Sequence, residues 1–133
     1  MKAYDARGAV LGRLAVLVAK DAMLGHEVVI INAGDAILTG TKESIIAKYA
    51  RKQAMGQHHK GPFLHKTSEK FVKRVIRGML PHKEVRGALA LKRVKCYTGV
   101  PEGLTVVPIV MKSSTPHEHL SVRNLLRYLG GSI

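Results

Sequence analysis

The chain has 133 residues, the size of one compact domain, and 46% of them are hydrophobic, so a core can form without a disulfide or structural metal. It carries 22 Lys and Arg against 9 Asp and Glu, a formal charge of +13 that is the electrostatic footprint of a nucleic-acid binder. A lone cysteine excludes an intramolecular disulfide, no apolar run approaches the roughly 20 residues of a bilayer span, and no signal-peptide pattern opens the chain, which together predict a cytosolic protein.

In chain order, Lys2 to Ala6 reads as a short strand, and Arg7, Gly8 and Gly12 as a tight connection into a helix from Leu11 to Leu24. Leu11, Leu14, Leu17, Val18 and Met23, with several alanines, leave few polar positions, so this helix is expected to be largely buried against a sheet and capped by Gly25. Val28 to Ile31 is continuously apolar and β-branched, as a strand covered on both faces is, and completes a βαβ unit. A turn at Asn32 to Asp35, an extended Ala36 to Leu38 and a turn at Thr39 and Gly40 lead to Thr41, a helix N-cap. The helix from Lys42 to about Met55 points Ile45, Ile46 and Tyr49 inward and Lys42, Lys48, Arg51 and Lys52 outward.

Residues 51–95 hold 13 of the basic residues with only Glu69 and Glu84 as acids, so this third of the chain carries net +11. It begins with the loop GQHHKGPFLHK at 56–66, where Lys60 and Lys66 suit phosphate and His58, His59 and Phe63 suit base contacts. The loop is read either as a mobile element that moulds itself to folded RNA or as a plain connector, and the adjoining basic helix favours contact. On that helix Phe71, Val72, Val75, Ile76, Met79 and Leu80 share one side, while Lys70, Lys73, Arg74 and Arg77 recur at i, i+3, i+4 and i+7 on the other. No acid stands between these four bases, so the stripe repels itself unless a polyanion covers it.

Pro81 stops the helix at Leu80, and His82, Lys83 and Arg86 carry the basic surface into a short helix around Glu84 to Leu91. Gly78 and Gly87 leave room for close backbone approach. A strand follows at Arg93 to Tyr97, with Cys96 as a buried, inert thiol, and Leu104 to Met111 is extended but carries Pro108, which suits an edge. The last helix offers two starts, a capping box at Thr115, Pro116 and Glu118 or a cap at Ser121. The expected architecture is a single α/β domain, three-layer α/β/α, with a small, mainly parallel four-stranded sheet.

Other chemistries find little support. RGAVLG at 7–12 is not G-x-G-x-x-G, no Walker motif exists, and a tight turn explains these glycines better than a nucleotide site. The groups His58, His59, His65 and His117, His119 lack metal-ligand spacing, and Ser113, Ser114 and Thr115 have no nucleophile elbow, so no cofactor, metal, small-molecule substrate or catalysis is expected. With 2 Phe, 4 Tyr and no Trp, a stacking sheet platform is also disfavoured as the main mode, which leaves phosphate and shape recognition by Lys and Arg.

Several long motifs in order, YDARGAVLGRLAVLVAK at 4–20, VVIINAGDAILTG at 28–40, GPF at 61–63, RGMLPHK at 77–83 and RGALALKRVKCYTGVP at 86–101, closely resemble ribosomal protein thirteen of the large subunit in its archaeal and eukaryotic form. The chain lacks the long C-terminal extension of eukaryotic relatives, which points to an archaeal-type member, and KTSEK at 66–70 departs from the family's proline-containing version. The resemblance implies a three-layer fold and a structural, non-enzymatic role that joins large-subunit rRNA and neighbouring subunit proteins during early assembly. It places Arg77, His82, Lys83, Arg86 and, separately, Arg13 at RNA-facing positions. A free messenger-RNA-binding regulator that uses the same face, or a nucleotide-dependent enzyme on a Rossmann-like sheet, are the alternatives.

Overall fold

The computed structural model describes residues 1–111 and 116–131. Strand β1 (Lys2–Asp5) leads into helix α1 (Leu11–Met23), and β2 (Val28–Ile31) returns parallel to β1 with Lys2 opposite Val28 and Asp5 opposite Ile31. A 3-10 turn at Ala33–Asp35 and β3 (Ile37–Thr39) precede α2 (Lys42–Ala54), α3 (Ser68–Met79) and α4 (Val85–Lys92). The chain then forms β4 (Val94–Cys96), β5 (Ile109–Val110), β6 (His119–Ser121) and α5 (Val122–Tyr128). The main sheet is all parallel in the order β4-β2-β1-β5, and β3 with β6 makes a small antiparallel pair. This is the small α/β fold with a parallel four-stranded sheet that the sequence predicts.

All four residues of β2 are buried, as their uninterrupted β-branched run requires of a central strand. Tyr4, Val28, Ile30 and Val94 join the core formed with Leu14 and Val18 of α1, Phe71, Val72 and Ile76 of α3, and Leu125 and Leu126 of α5. Ala3, Val29 and Ile31 alternate with these residues, so they point to the opposite face, and they are buried as well. Two polar fixtures hold α1 in place. The Arg93 guanidinium donates to the Ala22 carbonyl at 3.0 Å, and Asp21 accepts from the Tyr4 hydroxyl at 2.5 Å and the Lys2 ammonium at 2.9 Å. Burial alone would raise the Asp21 carboxyl, but these hydrogen bonds and the charges of Lys2 and His26 outweigh it and hold the carboxyl below its ordinary range. Burial, then Asp21, pushes the Tyr4 phenol up to about 12.

Several boundaries differ from the sequence reading for identifiable reasons. Helix α1 is not largely buried: Leu11, Leu14, Ala15, Val18 and Ala22 form one inward face, and Val16, Leu17 and Met23 lie outside it, 56%, 41% and 37% exposed. Val16, Leu17 and Met23 make the whole helix look apolar, whereas the packing face, its alanines included, is set by the i, i+3, i+4 spacing. Arg93 is the C-cap of α4, so the following strand is shortened to Val94–Cys96. Burial pushes the half-buried Cys96 thiol up to about 12, which keeps it protonated. Two sequence-level caps are seen, with Thr41 Oγ1 accepting from the Ser44 amide at 3.3 Å and Ser121 Oγ from the Asn124 amide at 3.2 Å. Thr115 lies outside the described residues, but His119–Ser121 is committed to pairing with β3, so α5 can begin only after it.

The two glycines expected at close contacts behave differently. Gly87 is buried on α4, and a Cβ there would lie 1.9 Å from the Pro81 carbonyl oxygen. Nothing lies within 4 Å of a Cβ at Gly78, so that position needs no glycine for packing.

Candidate nucleic-acid interface

Helix α3 organises the basic surface because its two sides are so different. Phe71, Val72 and Ile76 are buried, which turns Lys70 and Arg77 outward, where they are exposed and form no ion pair among the described residues. Lys73 and Arg74 sit at the margins of the stripe, half-buried, and are used differently. The Lys73 ammonium donates to the Val94 carbonyl at 2.8 Å and the Arg74 guanidinium to the Phe63 carbonyl at 2.7 Å. The four-base stripe expected from the helical wheel is therefore two outward cations flanked by two that tie α3 to β4 and to the preceding loop. The nearest acid is also occupied: Glu69 accepts from the amide and hydroxyl of Thr98 at 3.3 and 3.4 Å.

The loop before α3 has a definite shape. Gln57 and Gly61 exchange backbone hydrogen bonds, 3.2 Å from the Gln57 amide and 2.9 Å from the Gly61 amide, closing a hairpin whose exposed tip is His58, His59 and Lys60. The two imidazoles meet edge to face with centroids 5.0 Å apart. Gly56 adopts φ +82°, and a Cβ there would stand 1.8 Å from the Gly61 carbonyl oxygen, so the hairpin closes only over glycine. Beyond a cis Gly61–Pro62 bond the chain presents Phe63, 61% exposed, with its carbonyl held by Arg74.

Between this limb, the end of α2 and the side of α3 lies a cavity of about 330 Å³, lined by Tyr49, Lys52, Phe63, Phe71 and Arg74 among others. Tyr49 and Phe71 stack obliquely at 5.3 Å, and the ammonium groups of Lys52 and Lys48 lie 5.2 and 5.7 Å from the Tyr49 ring centre. Apolar periodicity assigns Tyr49 to the core alone and leaves Lys48 out of the site; the Tyr49–Lys52 spacing of three on a helix is the signal that links them.

The remaining sequence-predicted residues divide into two sets. Arg51 and Lys52 are exposed at the end of α2, and Lys66 is exposed beside the C-terminal segment, where a Cβ on Gly131 would come within 2.6 Å of its carbonyl oxygen. His65 is tied electrostatically to Arg74, Lys70 and Arg77, so these residues form one group; burial first, and then the three cations, lowers its imidazole below the ordinary value. His82 extends the group, its Nδ1 donating to the Arg77 carbonyl at 3.2 Å, with exposed Lys83 next to it. Arg86 is instead engaged with Glu84 at 2.7 Å, and Arg13 stands apart on the exposed face of α1. Among the described residues no three His, Cys, Asp or Glu side chains gather as metal ligands, and no helix is long and apolar enough to cross a membrane. Ser113, Ser114 and Thr115 lie outside the described residues.

Comparison with known proteins places this geometry in context. Residues 1–103 match the family described as Ribosomal protein L13. The chain is 40% identical to the large ribosomal subunit protein uL13 of Methanococcus maripaludis, with 98% of each chain covered. It is 37% identical to the uL13 protein of Methanocaldococcus jannaschii, again over 98% of each, and 43% identical to that of Thermoplasma volcanium over 79% of this chain and 77% of the relative.

Proposed function

We propose, from the premise that the chain belongs to the Ribosomal protein L13 family, that it is a structural constituent of the large ribosomal subunit whose α3 and hairpin face binds large-subunit rRNA and supports subunit assembly. The family is one of ribosomal structural proteins, and the relatives compared above are archaeal, in agreement with the archaeal-type reading. One observation carries the RNA-binding part. Lys52 of α2 and Arg74 of α3 line one cavity, Lys70, Arg74 and Arg77 surround His65, and the local acid, Glu69, is hydrogen-bonded to Thr98 and forms no ion pair among the described residues, so this field is left for an external polyanion. Arg contributes forked contacts and Lys point charges to phosphate, while the buried sides of the same helices hold the sheet. The role is non-enzymatic and cofactor-free, with rRNA and neighbouring subunit proteins as partners.

The test is binding of the purified chain to large-subunit rRNA against excess unrelated RNA across a salt series. Competitor-resistant binding is expected; displacement by any polyanion would overturn the assignment. The same titration run across pH gives a second expected result. In the free protein His65 is held below its ordinary value of 6.5, partly by Lys70, Arg74 and Arg77. Phosphates that offset those cations raise the imidazole pKa in the complex, so the bound state takes up protons and affinity increases as pH falls through the region at and below that value. His65→Gln should flatten the pH dependence, and an unchanged profile would remove His65 from the interface.

A further inference from the structure

The cavity between α2, the hairpin limb and α3 combines features that neither phosphate binding nor core packing explains. Its walls include Tyr49, Leu64 and Phe71, while Phe63 stands beside it with most of its surface in solvent. A phenylalanine left exposed in a region this basic is not there to screen charge. Nor does it hang from a loose backbone, since the preceding hairpin is closed by two backbone hydrogen bonds and the Phe63 carbonyl is fixed by Arg74. Lys52 and Arg74 line the same cavity, and no acid among the described residues does. An apolar protein side chain would gain nothing from these cations, and a duplex phosphate would gain nothing from the apolar walls.

A ligand that suits both is a nucleotide whose base has left its stack: a flat apolar ring for the cavity, and an attached phosphate for the cations at its edge. The volume of about 330 Å³ is at the small end of the roughly 300–1,000 Å³ typical of pockets for small organic ligands, which suits a single base. Resting on the RNA-binding reading above, we propose that this cavity receives one unpaired RNA base, stacked against Phe63, with Lys52 and Arg74 at its phosphate. The protein thereby distinguishes a bulged or single-stranded nucleotide from a continuous helix, an ability that a basic face alone lacks.

The experiment compares two probes on the full chain: a hexa-adenylate carrying a central 2-aminopurine, and a blunt RNA duplex with the same number of phosphates. Phe63→Ala and Phe63→Leu should each weaken the single strand by roughly 5- to 100-fold and abolish the change in 2-aminopurine emission, with duplex affinity moving less than about twofold. Phe63→Trp should retain binding, and because the chain has no tryptophan the new indole reports stacking directly through its own quenching. Lys70→Glu with Arg77→Glu should weaken both probes. Single-strand binding that survives Phe63→Ala, while the double reversal still weakens both probes, would overturn the pocket and leave the RNA face standing. If neither variant affects either probe, both readings fall. Retention of the wild-type thermal transition in each variant excludes unfolding as the cause.

Discussion

Replacing Gly87 with alanine is expected to destabilise the protein by at least about 3 kcal/mol, a large part of the roughly 5–15 kcal/mol that holds a domain of this size together. The cause is a collision between backbone and side chain. The added Cβ would lie 1.9 Å from the Pro81 carbonyl oxygen and 2.9 Å from the His82 amide nitrogen, and no rotamer change can move either group. Relief requires α4 to lift from the turn after α3, which disturbs the burial of Ala90 and the bond from Arg93 to α1. A fall in the midpoint of thermal unfolding of roughly 10 °C or more is the expected reading by calorimetry or circular dichroism. Gly78→Ala is the matched control. That position lies inside α3 with nothing within 4 Å of a Cβ, so alanine should stabilise the helix by up to about 1 kcal/mol. Equal behaviour of the two variants would contradict this packing.

The second large effect concerns RNA. Lys70→Glu combined with Arg77→Glu should weaken binding to large-subunit rRNA by roughly 100-fold at moderate salt, on the basis of about a factor of ten for each charge-assisted hydrogen bond to phosphate that is removed. It should also reduce the log-log salt slope by about 1.5, since each neutralised phosphate contributes roughly 0.7 to 0.9. Stability should remain within about 0.5 kcal/mol of the parent, because both side chains are exposed and neither forms an ion pair among the described residues. Lys73 and Arg74 are unsuitable for this purpose. Reversing Arg74 would also release the Phe63 carbonyl, and changing Lys73 would leave the Val94 carbonyl without its side-chain donor, so fold and affinity would change together. A double reversal at Lys70 and Arg77 that lowered the melting midpoint in proportion to affinity would show that these two cations also belong to the fold.

Much of the fold is readable from local pattern. The apolar run of β2, the Thr41 cap and the edge position of β5 beside Pro108 each follow from short-range chemistry that the tertiary structure does not override. The differences share another origin. Two capping signals compete for the start of α5, and the choice is made by β3, more than 80 residues earlier, which pairs with His119–Ser121. The helical wheel identifies four bases on α3 correctly, but the partners that engage two of them, the carbonyls of Val94 and Phe63, lie 21 and 11 residues away in sequence. Glycine and histidine composition suggests an irregular loop at 56–66, where the reciprocal bonds of Gln57 and Gly61 instead make a hairpin. Outward-facing charge is legible at the site; the cavity behind it, formed by three separate segments, is not.

The attachment of α3 to β4 also bears on biosynthesis. Helix α3 leaves the ribosome that makes it before Val94 and Thr98 do, so for a time Lys73 has no carbonyl to bind and Glu69 has no threonine to occupy it. A nascent chain at that stage carries α3 with both side chains still lacking these partners. Once β4 pairs with β2 and the chain passes Thr98, both side chains are engaged and the helix is locked in place. Fixing of α3 against the sheet is thereby a late event of synthesis, completed only when the chain has reached Thr98.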